Sequence, residues 1–181
     1  SSMTPEFFER HLDKLVWEEV SRNPSMTPKF FEKHLDKLNW DGVSGNQGMN
    51  PEFFERHLDK LDWKCVSENS GMTPEFFERN LKDPDRLYWI CVSRNSGMTP
   101  EFFERYLDNL DWVMVSWNPG MTPEFFEKHL DRLDWEWVSD NSGMNPEFFE
   151  RNLKDLVKLD WCGVSRNPCI VEPFWKYIRW C

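Results

Sequence analysis

Pairs of phenylalanines, each followed at a fixed distance by a tryptophan, give the chain one recurring pattern of apolar and polar positions. One copy of this pattern runs from Met49 to Gly71. The copies begin at methionines spaced 23, 23, 23, 26, 23 and 23 residues apart, namely Met3, Met26, Met49, Met72, Met98, Met121 and Met144. Self-similarity at such a period is typical of repeat proteins, in which each unit contacts only its neighbours. The sequence therefore predicts a single repeat array over residues 1–169.

The first half of each copy predicts a helix. In the first copy Thr4 is a suitable cap for an early backbone N–H, and Pro5 occupies the first helical position, where a missing N–H costs nothing. Phe8, Leu12 and Leu15 are spaced i, i+4 and i+7, so one face of a helix of about three turns would be apolar. We expect this face to be buried against neighbouring copies.

The second half of each copy predicts a shorter helix with the pattern Trp-x-x-Val-Ser-x-Asn. In most copies an Asn or Asp precedes the tryptophan and would cap this helix: Asn39, Asp62, Asp111, Asp134 and Asp160. The asparagine that closes the pattern is expected to end the helix in the left-handed backbone conformation, at Asn23, Asn46, Asn69, Asn95, Asn118, Asn141 and Asn167.

A single copy cannot fold alone, because helices this short are marginal in water and two phenylalanines and a tryptophan would stay exposed. Stacking the copies buries them. The sequence thus predicts an all-α fold, a right-handed α-solenoid of about seven repeats of 23–26 residues, each a helix, a turn and a short helix. Residues 170–181 break the pattern and are predicted to form a C-terminal capping helix. The first copy has no such cap, so its outer face is expected to meet another chain or to belong to a longer array.

Composition narrows the classes of partner. A formal net charge of -10 disfavours nucleic acid and anionic membrane surfaces, both of which select clustered Lys and Arg. The chain has no apolar run long enough to span a membrane. Five cysteines are an odd number, so at least one thiol is unpaired, which favours a reducing, intracellular compartment.

The segment from Leu107 to Pro119, with Trp112, Val115 and Ser116 in phase, resembles the Trp-x-x-Leu-Ser-x-Asn-Pro repeats of giant DNA viruses that infect protists and algae. The likeness covers nearly the whole chain, although valine stands here where those repeats usually carry leucine. The resemblance implies a helical repeat protein of viral or viral-host origin, located in the cytoplasm of an infected cell or in a virion. It implies no enzymatic activity.

Side chains that could bind a metal or take part in catalysis recur at the same position of successive copies. Histidines at that phase, His11, His34, His57 and His129, suggest either a metal ladder or a solvated or half-buried flank. The flank is favoured, because groups a helix-packing distance apart cannot each lie about 2 Å from one zinc ion. The carboxylates recur with Arg and Lys in every copy, which is typical of a charged outer face. No catalytic, metal or cofactor site is predicted, and hence no enzyme.

The cysteines offer two possible pairings. Cys65 and Cys91 occupy one phase in neighbouring copies, which is expected to place their Cα atoms beyond the roughly 7 Å limit for a disulfide. Cys169 and Cys181 flank the end segment and are either free or bridged across the cap.

Positions that vary between copies indicate where a partner would bind. Within Trp-x-x-Val-Ser-x-Asn, three sites change from copy to copy, and copies four to six carry apolar residues there: Ile90, Val113, Met114, Trp117 and Trp137. Exposed together they would form an interface patch, since Trp and Met are frequent interface anchors. The alternative is that the second of these sites is half-buried between copies. We predict a non-enzymatic scaffold that binds a protein partner, or, as the alternative, a structural component, for instance of a virion, that self-associates through the uncapped first repeat.

Overall fold

A computed structural model describes residues 4–80, 86–152 and 159–169. All regular secondary structure in these residues is helical, and no strand occurs among them. The predicted all-α fold of helical repeats is thereby confirmed. By its internal contacts the chain divides into two compact units, Ser1–Gly97 and Met98–Cys181, and the boundary falls between the fourth and fifth repeats. The predicted single array over 1–169 stays a prediction, and the predicted cap at 170–181 lies outside the described residues.

Each described repeat contributes two α-helices, the first beginning at a proline and the second at a tryptophan, and the first repeat also has a short 3-10 helix at Leu12–Lys14. The first unit contains α1 (Pro5–Glu9), α2 (Trp17–Arg22), α3 (Pro28–Glu32), α4 (Trp40–Ser44), α5 (Pro51–Glu55), α6 (Trp63–Glu68), α7 (Pro74–Asn80) and α8 (Trp89–Arg94). The second unit contains α9 (Pro100–Glu104), α10 (Trp112–Trp117), α11 (Pro123–Lys128), α12 (Trp135–Asp140), α13 (Pro146–Arg151) and α14 (Trp161–Arg166). The short tryptophan helices pack on one another in sequence, α2 to α8 in the first unit and α10 to α14 in the second.

Side-chain caps start most of these helices as predicted. The Thr27 hydroxyl accepts a hydrogen bond from Phe30 N at 3.2 Å, and the Asn50 side chain accepts one from Phe53 N at 3.0 Å. Before the short helices, Asp62 accepts from Cys65 N at 2.7 Å. Thr4 is an exception, because its side chain makes no capping bond to the backbone. Capping satisfies N–H groups that a helix of one or two turns cannot satisfy internally.

The first helix of each repeat is much shorter than the predicted three turns. The proline helices contain five to seven residues and end at the Glu, Lys, Arg or Asn that follows the phenylalanine pair. Beyond α3 the backbone continues in turns, with His34 N bonded to Phe31 O at 2.9 Å and Lys37 N bonded to His34 O at 2.9 Å. The prediction of a longer helix from the apolar spacing was wrong. The turns that follow α3 bury Leu38 as a continued helix would, so the spacing fits both structures.

Apart from α4, which is capped by Gly45, the short helices end at their closing asparagines, but these asparagines do not adopt the left-handed conformation that we predicted. Asn69 has φ -76° and ψ 104°, and Asn141 has φ -75° and ψ 114°, which are extended values. Asn23, Asn95, Asn118 and Asn167 are extended in the same way. The side-chain bonds of these asparagines explain why asparagine stands at this position. The side-chain oxygen of each asparagine accepts a hydrogen bond from the backbone N–H two residues further on, as Asn141 does from Gly143 N at 2.8 Å.

Aromatic rings form the core within each unit. Twelve phenylalanines are almost completely buried: Phe30, Phe31, Phe53, Phe54, Phe76, Phe77, Phe102, Phe103, Phe125, Phe126, Phe148 and Phe149. The tryptophan of one repeat stacks on the first phenylalanine of the next, as Trp40 does on Phe53 with ring centres 6.2 Å apart and planes inclined by 12°. Lys60 Nζ lies over the Trp40 ring, 5.3 Å from the ring centre. Neighbouring repeats therefore share one aromatic core.

Buried serines and asparagines join each repeat to the next by hydrogen bonds. Asn69 Nδ2 donates to Ser44 O at 3.0 Å and to Asn46 O at 3.3 Å, both in the preceding repeat. The Ser44 hydroxyl donates to Trp40 O at 2.6 Å and accepts the backbone N–H of Asp62 at 3.0 Å. The same bonds recur at Asn46, Asn95, Asn141 and Asn167. Because these polar groups are buried, each bond is costly to lose.

One glycine is required by the close approach of consecutive repeats. A Cβ atom placed on Gly48 would lie 2.3 Å from Pro24 O in the preceding repeat, so any side chain would push the two segments apart. Gly45, three residues earlier, is different, because a Cβ there would meet nothing nearer than 3.9 Å.

Candidate functional site

The exposed side of the short helices is set by which of their residues face the core. In α10 and α12, the valine and serine of the pattern are buried, as Val115, Ser116, Val138 and Ser139 are all fully inaccessible. Of the remaining residues, Val113 and Trp117 on α10 and Trp137 on α12 are exposed, whereas Met114 is half-buried and Trp135 is buried. This geometry presents the sites that vary between repeats at the surface.

Trp117 and Trp137 lie side by side at this surface of the second unit. Trp117 closes α10 and is 47% exposed, while Trp137 lies on α12 and is 39% exposed. Their ring centres are 6.5 Å apart and their planes are inclined by 79°, an edge-to-face arrangement. Val113, on α10, is also 39% exposed. Two large aromatic side chains that contact each other in solvent form an apolar surface with a defined shape.

Met114 is half-buried. At the same phase Cys65 is half-buried, Gly42, Cys91 and Gly163 are buried, and Glu19 and Trp137 are exposed. Burial at this second variable site therefore depends on the residue, and both interpretations drawn from the sequence hold for some members. Met114 is less exposed than Val113 and Trp117 on the same helix.

Ile90 belongs to the first unit. It lies on α8, is 52% exposed, and follows Trp89, with Tyr88 just before the helix 51% exposed. The sequence analysis missed Tyr88, although its place was a signal, since an aromatic residue stands there where most repeats have Asn or Asp. Trp161, 38% exposed on α14, was also missed, because its phase was assigned to the core.

Charged residues at the variable positions form ion pairs in both units. In the first unit Glu18 and Arg22 form an ion pair at 2.8 Å on α2, and Glu68 pairs with Arg94 at 2.7 Å between α6 and α8. In the second unit Arg166 approaches Asp140 at 3.7 Å. Exposed ion pairs of this kind contribute little to stability and favour solvation. The apolar rings of Trp117 and Trp137 stand out against this polar pattern.

The histidines form no metal ladder among the described residues, where no group of three or more His, Cys, Asp or Glu could hold an ion. Each described histidine beyond the first approaches a glutamate of the preceding repeat: Glu9 and His34 at 3.4 Å, Glu32 and His57 at 3.4 Å, and Glu104 and His129 at 3.3 Å. Their side chains are only 12–13% exposed. The predicted half-buried flank is confirmed.

The same glutamates also bind a cation of the following repeat. Lys33 Nζ lies 2.7 Å from Glu9, and Arg56 lies 2.6 Å from Glu32. The hydrogen bond from Arg56 outweighs desolvation and holds the pKa of Glu32 below its ordinary value of 4.5. The carboxylates that the sequence assigned to an outer charged face thus connect one repeat to the next.

Cys65, Cys91, Cys162 and Cys169 are free thiols, and Cys181 lies outside the described residues. Burial, together with a hydrogen bond to a neighbouring carboxylate, raises the pKa of both Cys65 and Cys91 to about 11. A thiol that stays protonated is a poor nucleophile and metal ligand. These two cysteines therefore behave as small apolar side chains at physiological pH.

Within the described residues no helix has the length and apolarity needed to cross a bilayer. Comparison of the chain with protein-family models, with curated proteins and with solved structures found no match.

Proposed function

We propose that this protein is a non-enzymatic repeat scaffold that binds a protein partner through the exposed side of the short helices α10 and α12. The observation that carries the proposal is the exposed pair Trp117 and Trp137, two rings in edge-to-face contact at 6.5 Å. Neither ring is required by the repeat, because other repeats carry charged or small residues at the same sites. Large aromatic side chains placed at variable, exposed positions are the usual anchors of protein interfaces.

The repeated core supports the same interpretation. Phenylalanines, tryptophans, serines and asparagines recur at fixed positions because they join each repeat to its neighbours. These shared contacts hold the variable side chains at recurring positions within a unit. Val113 and the half-buried Met114 extend the apolar area beside the tryptophans. A partner would bury this area with little loss of conformational freedom on the scaffold side.

The test is capture of a partner from cells in which the chain occurs naturally, using the wild-type protein and the double variant Trp117→Ala/Trp137→Ala. We expect the variant to capture at least about tenfold less, because each anchoring tryptophan commonly contributes 2 kcal/mol or more. The double variant Glu18→Ala/Arg22→Ala, which alters variable sites on α2, is the matched control and should capture as the wild type does.

Far-UV circular dichroism separates loss of binding from loss of structure. Both tryptophans are more than a third exposed, so their removal should leave the helical signal unchanged. Equal capture by wild type and variant would refute the proposal. A collapse of the helical signal would show instead that the two rings stabilise the fold.

A second candidate function is structural self-association, and the 37% exposure of Phe7 in the first repeat favours it. The viral setting implied by the repeat motif is compatible with either function and stays a prediction.

A further inference from the structure

We propose that the partner segment bound at Trp117 and Trp137 is basic, and that one of its arginine or lysine side chains lies against the two rings. The carboxylates of Glu136 and Asp140, which stand on either side of Trp137 in the sequence of α12, would bind neighbouring basic residues of the same segment. This inference rests on the proposed scaffold function, because it assigns the chemistry of the partner at the same surface.

The negative charge of the chain is concentrated in the fifth and sixth repeats. Residues 98–143 contain ten aspartates and glutamates but only three lysines and arginines, so they carry a net charge of -7 out of the -10 of the whole chain. No other repeat has a net charge below -2. The two acidic repeats are those that contain α10 and α12, and with them the exposed tryptophan pair. A surface with this charge attracts basic partners and repels acidic ones.

Two of these carboxylates lie on α12 beside the tryptophans. Glu136 and Asp140 are both exposed, and because they are four positions apart they lie on successive turns of one side of the helix. Like charges at this spacing repel each other. Asp140 approaches Arg166 at 3.7 Å, but both side chains are exposed, and such a pair is weak. A cation of a partner would relieve the repulsion between the two carboxylates.

The chain itself shows how its tryptophan rings receive cations. A lysine or arginine lies 5.3–5.5 Å from the ring centre of the tryptophan that begins a short helix, in the pairs Lys37 on Trp17, Lys60 on Trp40, Arg86 on Trp63 and Arg132 on Trp112. Among the described residues no cation lies in this way over Trp117 or Trp137. The negative faces of these two exposed rings are therefore open to a cation from another molecule.

The arrangement of the two rings suits a long basic side chain. Their centres are 6.5 Å apart and their planes are inclined by 79°, so they form two walls of an open corner. A guanidinium or ammonium group in this corner lies within about 6 Å of both ring centres, the range of a cation–π contact. Val113 is exposed and lies four positions before Trp117 on α10, which places an apolar surface beside the corner for the aliphatic part of the side chain.

A wholly apolar partner segment fits this surface less well. It would cover the rings, but it would also take the carboxylates of Glu136 and Asp140 out of water without a binding partner, and burying an unpaired charge is costly. A basic segment covers the same rings and pairs with both carboxylates. The charge of the surface thus favours a basic segment over an apolar one.

A fluorescently labelled peptide in which arginine and glycine alternate tests the proposal, with its anisotropy measured against the full chain. We expect this peptide to bind to the wild type. The same peptide with citrulline in place of arginine should bind at least about tenfold more weakly, because citrulline keeps the shape of arginine and lacks its charge.

Paired variants locate the binding. Glu136→Gln/Asp140→Asn and the double tryptophan variant should each weaken binding of the arginine peptide about fivefold or more. Glu124→Gln/Asp131→Asn is the matched control, because it removes the same charge from exposed positions on α11 and in the turn after it. It should bind as the wild type does. Since all the substituted residues are exposed, circular dichroism should be the same for every variant.

Three results would overturn the proposal. They are absence of binding to the wild type, equal binding of the citrulline peptide, and equal weakening in the control and in Glu136→Gln/Asp140→Asn, which would show attraction by net charge alone. The scaffold function survives each of them if the wild type captures a cellular partner that the double tryptophan variant loses. Failure of the scaffold function has a different signature, equal capture by those two proteins, and that result would overturn this inference as well.

Discussion

Replacing Asn141 by alanine removes three hydrogen bonds from a side chain that is only 2% exposed. Its Nδ2 atom donates to Ser116 O at 2.8 Å and to Asn118 O at 3.1 Å, and its oxygen accepts from Gly143 N at 2.8 Å. Asn118 O keeps a second donor, Met121 N at 3.2 Å, so the loss there is partial. Ser116 O belongs to a fully buried residue, and leaving it without a donor costs about 1–3 kcal/mol.

Adding about 1 kcal/mol for the weakened bonds at Asn118 and Gly143, we expect Asn141→Ala to lower the free energy of unfolding by about 2–4 kcal/mol. Asn141→Asp should cost at least as much near neutral pH. It keeps the acceptor for Gly143 but places a carboxylate oxygen against two carbonyl oxygens. Asn109→Ala, an exposed asparagine in the same unit, is the control and should change stability by less than about 0.5 kcal/mol.

Urea unfolding followed by far-UV circular dichroism and by tryptophan fluorescence measures these differences. The two signals also report whether the second unit still unfolds cooperatively, because repeat arrays lose cooperativity when one internal boundary is weakened. A loss below about 1 kcal/mol in Asn141→Ala, with the control unchanged, would refute the claim that this hydrogen-bond ladder stabilises the array.

Three further predictions concern a glycine, a carboxylate and the cysteines. Gly48→Ala should destabilise the protein by about 1–3 kcal/mol through its clash with Pro24 O, whereas Gly45→Ala has room and should be neutral or slightly stabilising; equal effects in urea unfolding would contradict this reasoning. Because Arg56 lowers the pKa of Glu32, the stability that this carboxylate adds is present above pH 4.5 and is lost as the pH falls through its folded-state pKa. Glu32→Gln should therefore reduce the fall in the urea midpoint on acidification. An unchanged fall would contradict the role of this ion pair. With an aromatic disulfide reagent near neutral pH, exposed Cys162 should react fast, while Cys65 and Cys91, whose pKa is raised to about 11, should react slowly; comparable rates at all three, measured with single Cys→Ser variants, would be inconsistent with their burial.

The repeat and its two helices could be predicted from the sequence because their signals are local. Proline after Thr27 or Asn50 starts a helix by backbone chemistry alone, and Asp62 before Trp63 does so through its side chain. The length of the first helix could not be predicted in this way. Leu35 and Leu38 fit a helical spacing, and only the packing of neighbouring repeats decides that the backbone turns after Lys33.

The role of the asparagines was misjudged for a related reason. Asn69 was expected to act on its own backbone, whereas its Nδ2 atom bonds to Ser44 and Asn46 in the preceding repeat. A bond between residues that lie more than twenty positions apart leaves no local signal. Among the candidate partner-binding residues, exposure of Trp117 and Trp137 followed from the variability of their positions, but their contact depends on how α10 packs against α12.

The hydrogen-bond ladder has a consequence for how such a chain can change in length. Wherever two consecutive repeats meet inside a unit, the same contacts recur. An asparagine of the following repeat bonds to the serine backbone of the preceding repeat, and the tryptophan of the preceding repeat stacks on a phenylalanine of the following one. In-frame duplication or deletion of one whole module would join ends that still fit, so copy number can drift by recombination while each junction stays intact. The side chains that differ, such as Trp117, are then free to diverge in every new module.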